Sequence, residues 1–175
     1  MTVVIKIEYG VGSSSGWTPQ TLAVAFERAG ANLRTPMRWI GPGLQPFLER
    51  TLRSRFAAEG TGGPAAGKWG ALSRRYAAWK AVHYPGRKIL ARSGTMRSAL
   101  TNSFAPGAYR QTGPTSFGFG TDGIEYASFH QTGTRRMQAR PPFDFGGQAF
   151  DRGFRAAGQK GLVAGLRAAR LDATE

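Results

Sequence analysis

The residue types best suited to chemistry are concentrated in residues 113–143. This stretch holds His130, which is one of two histidines in the chain, and the three arginines Arg135, Arg136 and Arg140. A histidine can transfer protons or bind a metal near neutral pH, and an arginine binds carboxylate or phosphate groups through its planar fork of donors. The stretch therefore has three interpretations: an active site, a grip on nucleic acid, or a surface for assembly.

The pattern of ionisable residues argues against catalysis. The second histidine is His83, and no HxH, HExxH or DxD spacing supports a metal site. There is no cysteine, which excludes thiolate nucleophiles and cysteine-based zinc sites. The ten acids are dispersed, so paired-carboxylate chemistry is disfavoured as well. We predict that the chain is not an enzyme and has no catalytic, cofactor or metal site, and we interpret His130 beside Tyr126 as a structural or interface residue.

The chain carries a large excess of positive charge. It has 24 lysine and arginine residues against 10 acids, which gives a formal net charge of +14. Such an excess favours a polyanionic neighbour, although scattered cations are also typical of a solvated basic surface. No apolar run approaches the roughly 20 residues that a membrane span needs, so no membrane partner is expected.

A second group of candidate residues combines aromatic rings with cations between positions 69 and 80. The aromatic residues are Trp69, Tyr76 and Trp79, and the cations are Arg74, Arg75 and Lys80. Stacking surfaces beside cations are typical of nucleic-acid binding. The spacing 69, 72, 76 and 79 is also that of a helical core stripe. We favour the core stripe, with the cations facing water, and keep a basic nucleic-acid-binding module as the alternative function.

Periodicity and turn signals predict the elements that position these residues. Alternation over Val3–Glu8 predicts a strand, and Thr18-Pro19 predicts the start of a helix over about 19–34 that Thr35-Pro36 ends. Ser73 is expected to cap a short helix. Ser93-Gly94-Thr95 is expected to form a turn that precedes another short helix.

Pro42 and Pro46 are predicted to interrupt the chain, and a second long helix is predicted from Leu44. Its apolar face consists of Leu44, Phe47, Leu48, Leu52 and Phe56. The charged residues expected to stay outside this face are Glu49, Arg50, Arg53 and Arg55. The helix is therefore predicted to form the core and to carry no chemistry.

The second half of the chain changes to β character before a last helix. Over residues 100–120 the segments LTNSF, AYRQTG and SFGFGT predict an antiparallel meander in which Phe117 and Phe119 share one face. A short helical turn over 126–131 follows. The last helix, over about 150–169, contains glycines that weaken it unless they allow close packing on the sheet or on another subunit.

These elements predict the fold class and the domain organisation. With 175 residues, 25 glycines and 10 prolines, the chain is expected to form one domain with a substantial core and many turns. We predict an α+β fold, in which a small antiparallel β-sheet is flanked by helices and long Gly/Pro-rich loops. The single domain spans residues 1–175, and the N-terminal strand and helix within residues 1–43 have no assigned role.

The motifs from residue 44 to about 170 follow a particular order. An apolar helix ending in Phe56 and a Gly/Pro loop come first. There follow Trp69, Leu72-Ser73, Tyr76, Lys80, Ile89-Leu90, Ser93-Gly94, Met96, Gly120-Thr121, Tyr126-Ala127, His130-Gln131, Gly133, Met137, Ala139-Arg140-Pro141 and Phe143. This motif series resembles the phage virion morphogenesis, or tail completion, family typified by phage Mu, which is related to neck and tail-terminator proteins of long-tailed phages. The chain departs from the family pattern at Pro142, which is inserted where the family runs Arg-Pro-Phe.

The resemblance implies a structural virion protein without catalysis. Members of the family form rings, typically hexameric, at the head-proximal end of the tail or in the neck, where they end tail-tube growth and join the tail to the head. The implied partners are further copies of the chain, the tail tube protein, head-side connector or neck proteins and, transiently, double-stranded DNA in the lumen. The implied location is the virion, after assembly in the host cytoplasm.

Candidate interface residues come from the same part of the chain. They are Trp69, Tyr76, Tyr126, His130, Arg135, Arg136, Arg140 and Phe143. We expect the short helix that contains Tyr126, Phe129 and His130 to pack beneath the sheet, and residues 140–142 to steer the chain into the last helix. Residues 135 and 136 would lie on the exposed part of that turn, in reach of a neighbouring subunit, the tail tube or DNA.

Overall fold

The computed structural model describes residues 19–60, 68–144 and 147–171. Within these ranges the chain forms six α-helices and a two-stranded antiparallel sheet, which confirms the predicted small α+β fold. The helices are α1 (Pro19–Arg34), α2 (Met37–Ala57), α3 (Arg74–His83), α4 (Thr95–Thr101), α5 (Tyr126–Thr132) and α6 (Gln148–Leu171), and the strands are β1 (Ala108–Thr112) and β2 (Phe117–Thr121). The strand predicted over Val3–Glu8 lies outside the described residues. None of the described helices is long and apolar enough to cross a membrane.

The hydrophobic core forms where α2 meets α4 and the segment that precedes α3. Leu52, Phe56, Trp69, Met96 and Leu100 pack together there, each with at most 4% of its surface exposed. The rings of Phe56 and Trp69 meet edge to face with 5.4 Å between their centroids, a geometry that adds to the gain from burial. The leucines and Phe56 of α2 are buried, and Phe47 is half-buried against Phe150 of α6, so the predicted apolar face of this helix is confirmed.

Pro42 and Pro46 lie inside α2, so the prediction that they interrupt the chain and that the helix begins at Leu44 is wrong. α2 begins at Met37 and continues through Pro42 and Pro46. A proline removes the hydrogen bond to the carbonyl four residues earlier, which for these two belongs to Arg38 and Pro42. Arg38, Pro42 and Pro46 are all exposed along one side of the helix. The lost hydrogen bonds therefore lie on the solvent side and leave the core unaffected.

A buried ion pair joins α2 to the sheet, and the prediction that Glu49 stays outside is wrong. Glu49 is 8% exposed, and its Oε1 lies 3.3 Å from Nη2 of Arg110 on β1. Arg110 also donates to the carbonyls of Ala99 and Gly120, each at 3.0 Å, and lies 3.8 Å from the ring centroid of Phe119. Burial lowers the pKa of Arg110, and the hydrogen bond to Glu49 opposes that shift. The pair thereby links α2, α4 and the sheet.

The glycines of the last helix allow close packing as predicted, but the partner is α2 of the same chain and not the sheet. A Cβ at Gly161 would lie 2.3 Å from the backbone oxygen of Trp39, and one at Gly165 would lie 2.5 Å from the Trp39 ring. α1 adds a hydrogen bond of 2.9 Å from Nδ2 of Asn32 to the carbonyl of Gly165. The absence of side chains lets α6 approach α2 closely, and this packing offsets the cost of glycine in a helix.

The sheet is a hairpin of two strands. The predicted meander is wrong for its first segment, LTNSF, which is not a strand. Leu100 and Thr101 end α4, and residues 102–107 form turns instead of a strand. β1 and β2 pair antiparallel along their whole length. Phe117 and Phe119 share one face as predicted, with 6.4 Å between their ring centroids. α5 confirms the helical turn predicted after the sheet.

Candidate assembly site

A cavity of about 730 Å³ lies between α3, the start of α4, α5 and the segment that follows α5. Its apolar lining includes Leu72, Leu90, Met96 and Met137. Tyr76 and Tyr126 contribute aromatic rings, and the cationic lining residues are Lys80, Arg92, Arg136 and Arg140. No aspartate or glutamate is found among the described residues that line it. We call this site the basic cavity.

Most residues that line the basic cavity belong to the motif series. They come from separate stretches of the chain and include Leu72, Ser73, Tyr76, Lys80, Leu90, Ser93, Gly94, Met96, Tyr126, His130, Met137 and Arg140. The cavity therefore unites five of the predicted interface residues, which are Tyr76, Tyr126, His130, Arg136 and Arg140. The order of the motifs in the sequence could not show that they meet in space.

Arg140 is buried and anchors the wall of the basic cavity from inside. It is 6% exposed, its Nε donates to the carbonyl of Gly70 at 2.8 Å, and its Nη2 donates to the carbonyl of Ala71 at 2.7 Å. Its backbone N–H donates to the carbonyl of His130 at 2.8 Å. These bonds join the segment that follows α5 to the segment that precedes α3.

The carbonyl of Pro141, directly after the lining residue Arg140, makes a second connection. It accepts from Nε1 of Trp69 at 3.2 Å and from Nη2 of Arg55 at 3.1 Å. Arg55 is 4% exposed, so the prediction that it stays outside the apolar face of α2 is wrong. Its burial is compensated by the Pro141 carbonyl and by the carboxylate of Asp144, 3.7 Å from Nη2. Burial lowers the pKa of Arg55, and the charge of Asp144 opposes this shift.

The eight predicted interface residues divide into an internal and an exposed group. Trp69 and Arg140 are buried in the chain, and Phe143 packs against the core with its ring centroid 6.3 Å from that of Phe119. The exposed residues are Tyr76, Tyr126, Arg135 and Arg136, and His130 is half-buried. Contact with a partner stays a prediction for all eight, and only the exposed group is accessible without rearrangement.

α5 does not bury the side chains that were expected to lie beneath the sheet. Tyr126 and Phe129 are 42% and 52% exposed, so that prediction is wrong for both residues. The α5 residue that packs against the core is Ala127. Only one side of a short helix can pack against the core. In α5 that side carries Ala127, and the rings of Tyr126 and Phe129 are exposed.

The exposed side of α3 carries a stack of aromatic rings. Ser73 caps the helix as predicted, because its Oγ accepts from the N–H of Tyr76 at 3.4 Å. Tyr76 and Trp79 are 38% and 39% exposed, so the predicted core stripe is wrong for them. The ring centroids of Tyr76 and Trp79 lie 5.6 Å apart, and those of Trp79 and His83 lie 4.6 Å apart. These rings pack on one another instead of on the core.

Lys80 is buried on the inner side of α3, so the prediction that the cations here face water is wrong for this residue. It is 5% exposed, and its Nζ donates to the carbonyl of Lys88 at 2.6 Å. Burial lowers the pKa of Lys80, and the charge of Glu59 opposes this shift. Glu59 also accepts from the N–H of Ile89 at 2.9 Å. Together these bonds fix the turn that delivers Leu90 to the basic cavity.

Sequence reasoning missed two residues of this region. Arg92 lines the basic cavity, and its guanidinium carbon lies 5.7 Å from the ring centroid of Tyr84. Phe104, in the segment predicted as a strand, is 94% exposed. Residues 102–107 have the sequence NSFAPG, which contains asparagine, proline and glycine. These turn signals could have shown that Phe104 lies in a turn and not in a strand.

His130 has an unsatisfied atom beside the basic cavity. Its Nδ1 is buried and has no hydrogen-bond partner among the described residues. The Tyr126 ring meets the imidazole edge to face with 6.0 Å between centroids. Burial lowers the pKa of His130, and the positive charge of Arg140 lowers it further. The imidazole is therefore neutral near pH 7, a state that suits packing better than attraction of an anion.

We predict that His130 reduces folding stability as the pH falls. Its pKa in the unfolded chain is about 6.5, and its pKa in the folded chain is lower. Below about pH 6.5 the unfolded chain therefore binds more protons than the folded chain, and the free energy of unfolding decreases until the folded pKa is passed. Urea unfolding at several pH values between about 7.5 and 5 should show a weaker decrease in His130→Gln. The same change at His83 is the control for loss of a histidine, and an identical pH dependence in wild type and His130→Gln would contradict the prediction.

The site suits binding to a protein surface. Tyrosine, methionine and arginine, which are enriched in protein interfaces, are all found in its lining. Among the described residues, no three of His, Cys, Asp or Glu lie close enough together to hold a metal ion. No family model, curated protein or solved structure matches the chain. A proposal of function therefore depends on the motif series and on the geometry of the basic cavity.

Proposed function

We propose that this chain is a structural subunit of a phage virion that forms a ring at the head–tail junction, ends the tail tube and joins the tail to the head. The observation that supports this most is the convergence of the motif series on the basic cavity. Residues between Leu72 and Arg140, which the resemblance selects by their order in the sequence, share one site in space.

The exposed residues of the site have the chemistry of a protein interface. Tyr76 and Tyr126 offer aromatic rings of low conformational entropy, and Arg136 offers a planar set of donors. Tyrosine and arginine supply many of the residues that dominate binding energy in such contacts. With Arg135 beside them, they are the residues that we propose contact a neighbouring subunit, the tail tube or a head-side neck protein.

The positive charge of the chain suits the acidic protein surfaces and the DNA that a protein at the head–tail junction would contact. Each copy has a formal net charge of +14. A ring of such copies would favour acidic surfaces on the neighbouring neck proteins and transient contact with the phosphates of DNA that passes through the lumen. The role requires neither catalysis nor a cofactor.

Electron microscopy of the purified full-length chain tests the proposal. We expect closed rings with a mass of about six monomers, because a heterologous contact closes into a ring when its rotation permits. In virions that contain the chain, its density should lie at the head–tail junction, and particles assembled without it should accumulate as separate heads and tails. A chain that is monomeric at every concentration and absent from the neck of purified virions would overturn the proposal.

A basic nucleic-acid-binding module is the second candidate, and the exposed rings of α3 are the observation that favours it. Tyr76 and Trp79 lie on a helix that begins with the exposed residues Arg74 and Arg75. Trp79 already stacks on both Tyr76 and His83, which reduces the ring surface available to bases. This candidate requires tight nucleic-acid binding that weakens steeply with salt. Ring formation with weak, salt-insensitive DNA binding by the same sample would reject it.

A further inference from the structure

We propose that Phe104 of one copy inserts into the basic cavity of the next copy, and that this head-to-tail contact closes the ring. The inference rests on the proposed function, because it names the partner of the site described above. Three features of the chain support it: the presentation of Phe104, the placement of the two surfaces at opposite ends of one helix, and their complementary charge.

Phe104 is presented to solvent by a turn that hydrogen bonds hold in place. The residue is 94% exposed, although a large apolar ring usually gains by burial. Its N–H donates to Oδ1 of Asn102 at 3.0 Å, and the N–H of Ala105 donates to the carbonyl of Asn102 at 3.2 Å. Gly107 ends the turn with a φ of +77°, and a Cβ there would lie 2.9 Å from Ile124, so only glycine fits. The backbone that carries the ring is held in this way, so the turn loses little freedom on binding.

The turn that carries Phe104 and the basic cavity lie at opposite ends of α4. Gly94, the N-cap of α4, lines the cavity, whereas Asn102, its C-cap, begins the turn. The seven residues of α4 separate the two surfaces by about 10 Å of helix. Phe104 is not among the residues that line the cavity of its own copy, so the contact has to join two copies. Because it uses two different patches, it is of the heterologous type that generates rings.

The lining of the basic cavity suits an aromatic side chain. Leu72 and Leu90 provide branched apolar surface, and the half-buried Met137 provides a flexible thioether that adapts to an inserted ring. The volume of about 730 Å³ exceeds what one phenyl ring needs, so residues that flank Phe104 fit as well. Burial of the ring would remove from water the most exposed of the large apolar side chains described.

The charges of the two surfaces favour a second copy as the occupant. The basic cavity is lined by Lys80, Arg92, Arg136 and Arg140, with no acid among its described lining residues. Beside the turn of Phe104, Asp122 is exposed, and its N–H donates to the carbonyl of Gly107 at 2.9 Å. Copies with a net charge of +14 repel one another unless an acid meets a surface rich in cations. Asp122, which follows β2 next to the turn, is such an acid, and Arg53, whose guanidinium donates to the carbonyl of Thr101, adds one cation to the same surface.

Two substitutions test the contact from its two sides. Phe104→Ala removes the ring, and Ala71→Trp fills the cavity from an exposed position in its lining. Each should weaken self-association by at least about 30-fold and yield monomers where the wild type forms rings. Val82→Ala changes an apolar residue that is 77% exposed and outside the cavity lining, so this control should assemble like the wild type. Circular dichroism checks folding, and Ser93→Trp, at a second exposed lining position, replaces Ala71→Trp if the latter does not fold.

An equimolar mixture of the two variants distinguishes this contact from others. Phe104→Ala keeps an intact cavity and Ala71→Trp keeps an intact Phe104, so the mixture should form heterodimers but no rings. Failure of two folded variants to form heterodimers, or rings formed by Phe104→Ala alone, would overturn this inference and leave the proposed ring in place. A wild-type chain that is monomeric at every concentration would overturn the proposed function, and this inference with it.

Discussion

Substitution of Arg140 by alanine is expected to lower the free energy of unfolding by about 3–5 kcal/mol. The side chain is 6% exposed and donates to the carbonyls of Gly70 and Ala71 at 2.8 and 2.7 Å. A hydrogen bond to a charged group contributes about 1.5–3 kcal/mol, and loss of the donor leaves both carbonyls without this partner. Urea unfolding of the wild type and the variant measures the difference.

Arg135→Ala is the matched control for this prediction. It makes the same change at an exposed position five residues away, and the expected change is within about 0.5 kcal/mol. Arg140→Lys keeps the charge but loses the fork of donors, so an intermediate loss is expected. A loss below about 1 kcal/mol in Arg140→Ala would show that these bonds do not hold the cavity wall.

Alanine should have opposite effects at two glycines of α6. A Cβ at Gly161 would lie 2.3 Å from the oxygen of Trp39 and 2.9 Å from the Cα of Ile40. Both are backbone atoms that cannot rotate away, so α6 has to move off α2. Overpacking of this kind costs about 1–3 kcal/mol, and up to about 1 kcal/mol of helix propensity offsets only part of it. We expect Gly161→Ala to destabilise the chain in thermal and urea unfolding.

Gly158→Ala provides the comparison within the same helix. A Cβ at Gly158 would lie 3.6 Å from Cγ2 of Ile40, which is an ordinary van der Waals contact. This variant gains helix propensity without a clash, so its stability should rise by up to about 1 kcal/mol. Effects of the same sign at positions 158 and 161 would contradict the close approach of α6 to α2.

Local signals predicted most of the helices. Thr35-Pro36 ends α1, and Ser73 caps α3, because capping and proline geometry depend on neighbouring residues in the chain. The continuous α2 could not be predicted in this way. Whether a helix accepts Pro42 and Pro46 depends on which of its sides faces solvent, and the packing of α6 and the core decides that.

The burial of charged residues depends on partners that are distant in the sequence. Glu49 pairs with Arg110, 61 positions away, and Arg55 donates to the carbonyl of Pro141, 86 positions away. A charged residue on an amphipathic helix is expected to face water unless a partner compensates it. No pattern within the helix indicates such a partner, so both predictions failed for the same reason.

Sequence patterns predicted which residues belong to the candidate site, but not that these residues lie together in space. The motif series selects Tyr76, Tyr126, His130 and Arg140, and the structure adds that they line one cavity. Arg140 is buried because it bonds to the carbonyls of Gly70 and Ala71, about 70 positions away, whereas Tyr76 is exposed. Periodicity within α3 could not reveal this, because its rings pack on one another.

The Pro141 carbonyl has a consequence for the energetics of assembly. Because it accepts from both Trp69 and Arg55, the chain next to the lining residue Arg140 is bonded to the core and to α2 at the same point. The cavity cannot widen there unless bonds to the core break. In the proposed ring, a docking copy would therefore meet a surface whose shape is set beforehand, and few additional residues would become ordered. Ring formation would then be an association of folded subunits whose extent depends on their concentration. It would not require a folding step that is coupled to binding.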